Sequence, residues 1–125
     1  MNSIAKWESE IHIYRQTAQR RRAEAEHERQ QRLAQGWEVA RKAAHLLRER
    51  FSAQRVAAFG SLVHPDRFHK RSDVDLAAWG LDEREYLRAV AAVTGLDREI
   101  SIDLIAVEEA SESLRKLIQE EGVLL

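Results

Sequence analysis

The apolar positions of the chain change rhythm once, close to residue 55. Before that point they recur at Ile4, Trp7, Ile11, Tyr14 and Ala18, the three-and-four spacing of one helix face. The stripe fades over residues 20–32, which are polar nearly all round, as in a helix that is solvated or that reaches a partner. It returns at Leu33, Trp37, Ala40, Ala44, Leu47 and Phe51. No proline and one glycine, Gly36, fall within residues 4–50, where good helix formers dominate. The pattern predicts a core-facing helix over residues 33–51, preceded by a helical extension over residues 1–32.

After Arg55 short apolar runs alternate with turn residues. Residues 56–59 and 74–79 read as strands, closed by Gly60 and Gly80, and residues 99–107 as a third. Residues 61–71 begin as a helical turn and become a loop, marked by the only proline, Pro65. Asp82 with Glu85 three residues on has the form of a capping box for a helix reaching Thr94, with Gly95 as its stop. A last helix is expected from Glu108 or Glu109 to Glu121, followed by Gly122 and the apolar end Val123-Leu124-Leu125. Helices and strands in this alternation make an α/β layer structure. At 125 residues it is one domain, placed at residues 33–125, with the extension as a possible partner-docking arm.

Charge refines this picture. The net charge is -1, so the whole chain has no polyelectrolyte character. Residues 1–50 hold 11 Lys/Arg against 7 Asp/Glu, whereas residues 51–125 hold 9 against 14, a net of -5. The second half is therefore the acidic one, as expected where carboxylates wait for metal. Direct nucleic-acid binding finds support only in the basic first half, and Glu24, Glu26 and Glu28 dilute the field of Arg20, Arg21 and Arg22. The absence of cysteine excludes disulfides and thiolate metal sites. No apolar stretch is long enough to span a bilayer, and the first residues lack a signal-peptide core. The chain is read as cytoplasmic, without membrane contact.

Candidate chemistry sits at the strand ends. Asp73 and Asp75 are two apart, so on a strand they point the same way while Val74 and Leu76 point the other. Carboxylates this close repel unless a cation lies between them, and Mg²⁺ suits such oxygens together with substrate phosphates. Asp103, between Ile102 and Leu104, can add a third ligand if its strand lies alongside. The turn at Gly60-Ser61 offers backbone N–H groups and a hydroxyl, donors of the kind that cradle phosphate. In the intervening loop, His64, Arg67, His69, Lys70 and Arg71 either steer a triphosphate or form an ordinary exposed polar loop. Trp79 reads as sheet packing, and His12, His27 and His45 have no ligand spacing.

The ordered set Val56-Ala57-Ala58-Phe59-Gly60-Ser61, then Ser72-Asp73-Val74-Asp75-Leu76, then Asp103 resembles the nucleotidyltransferase superfamily that includes DNA polymerase β, and within it the minimal nucleotidyltransferases. The resemblance covers residues 33–125. One residue more than the commonest spacing separates Ser61 from Asp73, in a polar loop where insertion is cheap. It implies the nucleotidyltransferase fold, a small mixed sheet of three or more strands flanked by helices. It implies two Mg²⁺ ions on Asp73, Asp75 and Asp103, with Asp103 also acting as or beside the base. The phosphates of ATP would rest on Gly60, Ser61, Ser72, Lys70 and Arg71. Minimal members of this size are often antitoxins that transfer AMP to a tyrosine of a HEPN ribonuclease toxin, and this chain is similar to that type. The alternatives are transfer to a small-molecule hydroxyl, or an inactive antitoxin that blocks its partner by binding.

Overall fold

Residues 3–125 are described in a computed structural model. The apolar stripes at the two ends of the helical region belong to one unbroken helix, α1 (Ser3–Phe51). Nothing between them ends the hydrogen-bond ladder, since no proline occurs and Gly36 alone does not break a helix. The chain divides into two compact units, Met1–Gln31 and Arg32–Leu125. In the first, Ile4, Trp7, Ile13 and Tyr14 are exposed, and Glu26 is held by Arg29 at 2.8 Å one turn on.

The second unit is built on a four-stranded mixed sheet. Its strands are β1 (Arg55–Phe59), β2 (Val74–Trp79), β3 (Ile102–Ala106) and β4 (Val123–Leu124), in the order β3-β2-β1-β4. β1 runs antiparallel to β2 and β4, and β2 runs parallel to β3. The parallel pair requires a crossover, supplied by α2 (Tyr86–Thr94). A third helix, α3 (Glu112–Glu121), leads into β4.

Alternation along the strands sorts side chains between two faces. Val56, Ala58, Val74, Leu76, Ile102 and Leu104 join Val39, Ala43 and Leu47 of α1 and Ala89 and Val93 of α2 in the main core. The odd-numbered residues face the other way, where Phe59, Ala77 and Val107 pack with Ile118 of α3, and Trp79 lies beside them under the Arg55 guanidinium at 4.8 Å. The buried stripe of α1 is Gly36, Val39, Ala40, Ala43, Ala44 and Leu47, so small residues bring the helix close to the sheet. At Gly36 a Cβ would lie 2.9 Å from both Leu62 and Phe68. Phe68 is fully buried and thereby anchors the loop that leads to β2.

Three elements differ from the sequence expectation. β3 starts at Ile102, because the Asp97 carboxylate accepts the N–H groups of Glu99 (2.9 Å) and Ile100 (2.8 Å) and holds them in a turn. The last helix starts at Glu112 with the Ser111 hydroxyl as its cap, and Val107–Glu109 forms a separate 3-10 turn. Asp82 does cap, but a 3-10 turn (Glu83–Glu85) intervenes before α2 and the Glu85 carboxylate faces Arg88 at 3.3 Å. The apolar end carries the short edge strand β4, fastened by Leu125 N–H to Val56 O at 2.9 Å.

Candidate active site

Strand register brings the central carboxylates together. Phe59 of β1 stands opposite Asp75 of β2, and Asp75 stands opposite Asp103 of β3. Directly paired residues project from the same face, and neighbouring strands lie about 4.8 Å apart. Asp75 and Asp103 therefore leave the sheet side by side, on the face shared with α3 but beyond the cluster that α3 covers. Asp73 lies just before β2, exposed to solvent and near enough for its charge to act on Asp75.

The turn after β1 completes the corner. Gly60 has φ +71, in the left-handed region where glycine carries no steric penalty, and a Cβ there would run into the Asp75 carboxylate. Glycine is thus required twice, for the bend and for the close approach. Gly60–Val63 is a 3-10 turn, whose first N–H groups have no partner inside it. Ser61 is half-buried in that turn, and its hydroxyl makes no hydrogen bond among the described residues.

Asp75 is the strained group electrostatically. Burial pushes its carboxyl up from 3.8 to about 6, and the charges of Asp103 and then Asp73 push in the same direction. Among the described residues none of the three carboxylates accepts a hydrogen bond or pairs with a cationic side chain. Asp97 shows the contrast: the N–H of Ile100, followed by that of Glu99, holds its carboxyl below the ordinary value. No three His, Asp or Glu side chains are drawn tightly enough together to enclose a metal ion as they stand, among the described residues. The donor set nonetheless fits a hard divalent cation: three carboxylates, at least two on one face, with no other source of positive charge for the half-buried one.

The loop residues divide. Lys70 and Arg71 are exposed, and their side chains make no ion pair among the described residues. The Ser72 hydroxyl is engaged inside the loop, accepting the His69 N–H at 3.0 Å. His69 Nδ1 accepts the Arg71 N–H at 3.2 Å. His64 is bonded to Glu121 of α3 at 3.0 Å, a pairing that ties the turn to the last helix and that nothing in the local sequence announces. A cavity of about 480 Å³, lined among others by Leu81, Tyr86, Ile105 and Leu114, opens at the opposite end of β2 and β3 and contains none of the three carboxylates. Geometry and chemistry favour the carboxylate corner as the candidate site over that cavity.

Residues 41–125 match the profile of the family described as Polymerase beta, Nucleotidyltransferase. The chain belongs to that nucleotidyltransferase family. Solved structures share the domain's fold. One is a toxin–antitoxin with AMP-PNP, 24% identical, with a TM-score of 0.58, covering 68% of this chain and 70% of that one. Another is the toxin–antitoxin MntA-HepT, 21% identical, with a TM-score of 0.52, covering 69% and 68%. A mutant of a toxin–antitoxin MntA-HpeT is 21% identical, with a TM-score of 0.57 over 68% and 70%. At these identities the likeness establishes the nucleotidyltransferase fold. No curated protein matches the chain. No helix among the described residues is long and apolar enough to cross a membrane.

Proposed function

We propose that the chain transfers AMP from ATP to a protein hydroxyl, and that the acceptor is a tyrosine of a HEPN ribonuclease toxin that it neutralises as antitoxin in the cytoplasm. The observation that carries the reading is the corner in which Asp75 stands between Asp103 and Gly60, with Asp73 two residues before it. Membership of the nucleotidyltransferase family supports the reaction class. Fold likeness to toxin–antitoxin structures, one of them with AMP-PNP, supports the partner class and the nucleotide.

In the reaction the acceptor oxygen attacks the α-phosphorus, the bond from that phosphorus to the bridging oxygen breaks, and pyrophosphate leaves. Asp103 receives the hydroxyl proton as general base or through a neighbour. Asp73, Asp75 and Asp103 would hold two Mg²⁺ ions, which would supply charge neutralisation for the phosphoryl transfer. Gly60 and Ser61 bind the β- and γ-phosphates through backbone N–H groups and the free Ser61 hydroxyl. Lys70 and Arg71, exposed and without an ion pair among the described residues, hold the outer phosphate charge. Ser72 contributes by fixing the loop that carries them. Positioning and charge account for most of the acceleration, since phosphoryl transfer needs little covalent help from protein.

The exposed Ile4, Trp7 and Tyr14 make residues 1–32 the proposed docking arm for the toxin. The central test is mass spectrometry of a co-expressed toxin. Wild type is expected to leave a 5′-AMP adduct on a toxin tyrosine. Asp73→Asn combined with Asp75→Asn is expected to leave none while keeping the fold; an undiminished adduct ends the proposal. An unmodified toxin that is still neutralised by wild type selects steric blocking instead. Removing residues 1–30 is expected to weaken co-purification of the toxin, and unchanged binding refutes the docking arm.

A further inference from the structure

We infer that Arg32 is a positioning residue that sets the spacing of the site's carboxylates. The inference rests on reading Asp73, Asp75 and Asp103 as that site. One guanidinium nitrogen of Arg32, Nη2, donates to two backbone carbonyls, Lys70 O at 3.1 Å and Glu99 O at 2.8 Å. Lys70 lies in the loop that enters β2 just after Asp73, and Glu99 lies in the loop that enters β3 just before Asp103. The other guanidinium nitrogen is 4.0 Å from the Glu99 carboxylate. The Arg32 side chain itself is 16% exposed, while Lys70 and Glu99, which carry the two carbonyls, lie at the surface. Its Nε is buried with no partner among the described residues, so the hydrogen bonds to both loops come from Nη2.

The geometry matters because little else joins the two entrances. Val74 N–H to Ser101 O, at 2.9 Å, is the first rung between them. Arg32 adds a clamp earlier in each loop, at Lys70 and at Glu99, and it does so from α1, a helix that packs against Leu62 and Phe68 at Gly36. A charged donor strengthens each bond, and an arginine is never neutral at any working pH. The two hydrogens of one planar nitrogen meet two carbonyls in a single orientation, which a flexible ammonium does not reproduce. Moving either entrance shifts Asp73 or Asp103 relative to Asp75. Misplacement of reacting groups by about 1 Å costs on the order of 100-fold in rate.

The test uses Arg32→Met, which keeps the apolar stem, and Arg32→Lys, which keeps the charge. Amide hydrogen exchange is measured on the full chain without nucleotide or metal, so it reads the loops independently of catalysis. In Arg32→Met, exchange is expected to accelerate together in residues 70–73 and 99–103, with the β1–β2 ladder unchanged. AMP transfer by that variant is expected to fall about 10–100-fold in kcat, as for other residues that orient ligand-bearing groups. Arg32→Lys is expected to recover part of both losses. Wild-type exchange in both segments overturns the inference. So does acceleration spread over the whole sheet with no recovery by lysine, which marks a general packing role. If the methionine variant does not fold, the lysine variant decides alone: faster exchange in both segments supports the clamp, and unchanged exchange refutes it. Failure of wild type to transfer AMP strikes the proposed function and leaves the exchange result to judge Arg32.

Discussion

Val74, Leu76, Ile102 and Leu104 face the helices α1 and α2, whereas Asp75 and Asp103, one residue along the same strands, face the opposite side. On the first side Val56, Ala58, Val74, Leu76, Ile102 and Leu104 are apolar and buried among helix residues. On the second side Phe59 and Ala77 pack with Ile118 of α3, while Asp75, level with Phe59, is half-buried and Asp103 is exposed. Stability and chemistry thus occupy alternate positions of one backbone. The apolar face holds the strands rigid, and the other face uses that rigidity to keep like charges closer than they would remain in a flexible chain. The contrast between Asp97 and Asp75 makes the same point. Asp97 has its N–H partners and serves the fold, while Asp75 has none among the described residues and its carboxyl is pushed up by burial and by its acidic neighbours.

The comparison can be broken first on the apolar side. Leu76→Ala removes a fully buried side chain from the main core and is expected to cost about 2–5 kcal/mol in urea unfolding. Transfer activity per folded molecule should survive, because the side chain points away from the site. A specific activity that collapses in fully folded Leu76→Ala protein would show that the two faces are not separable.

Gly60→Ala acts at the junction. A left-handed φ costs a residue with a Cβ about 1–2 kcal/mol, and the added methyl meets the Asp75 carboxylate. Here activity should fall by more than the unfolded fraction explains, read as kcat at a temperature where the variant is folded. Activity that tracks the folded fraction alone would remove Gly60 from the site.

The smallest effect is the most diagnostic. The Asp75 carboxyl is held near 6 against an ordinary 3.8, so between those values the native protein keeps a proton that the unfolded chain has lost. The native state binding more protons, stability from this group is intact below about pH 4, falls as pH rises through 6, and stays lost above. Asp75→Asn is therefore expected to stabilise the metal-free protein at pH 7 by about 1–2 kcal/mol after allowance for solvent screening, and to change nothing at pH 3.5. Added Mg²⁺ should stabilise wild type more than the variant. Equal urea midpoints for both proteins at pH 7 without metal would contradict the electrostatic account.

Much of this architecture was legible before any coordinates. The strand expected over residues 74–79 matches β2 (Val74–Trp79), because a short apolar run between a polar loop and Gly80 has only one reading. The helical region was equally plain. Where the reading slipped, a side chain captured the backbone: Asp97 delayed β3, and Ser111 rather than Glu108 or Glu109 began the last helix. β4 is two residues long, too short for any periodicity to register. His64 falls in a loop that reads either as phosphate-steering or as ordinary and exposed, and its bond goes to Glu121, a partner that only folding brings near. Arg32 looked like the end of a polar stretch, and its two carbonyl partners lie in distant loops.

By itself the sequence determined which residues form β2, that Asp73 and Asp75 lie two residues apart at its start, and that a Gly-Ser bend follows β1. These are local facts, decided by residue type and by the two-residue period of a strand. The tertiary structure alone decided that Asp103 stands beside Asp75 and that Gly60 presses on its carboxylate. That register comes from the α2 crossover and the packing of Leu76 and Leu104 into a shared core, and a slip of one residue would have turned Asp103 to the buried face.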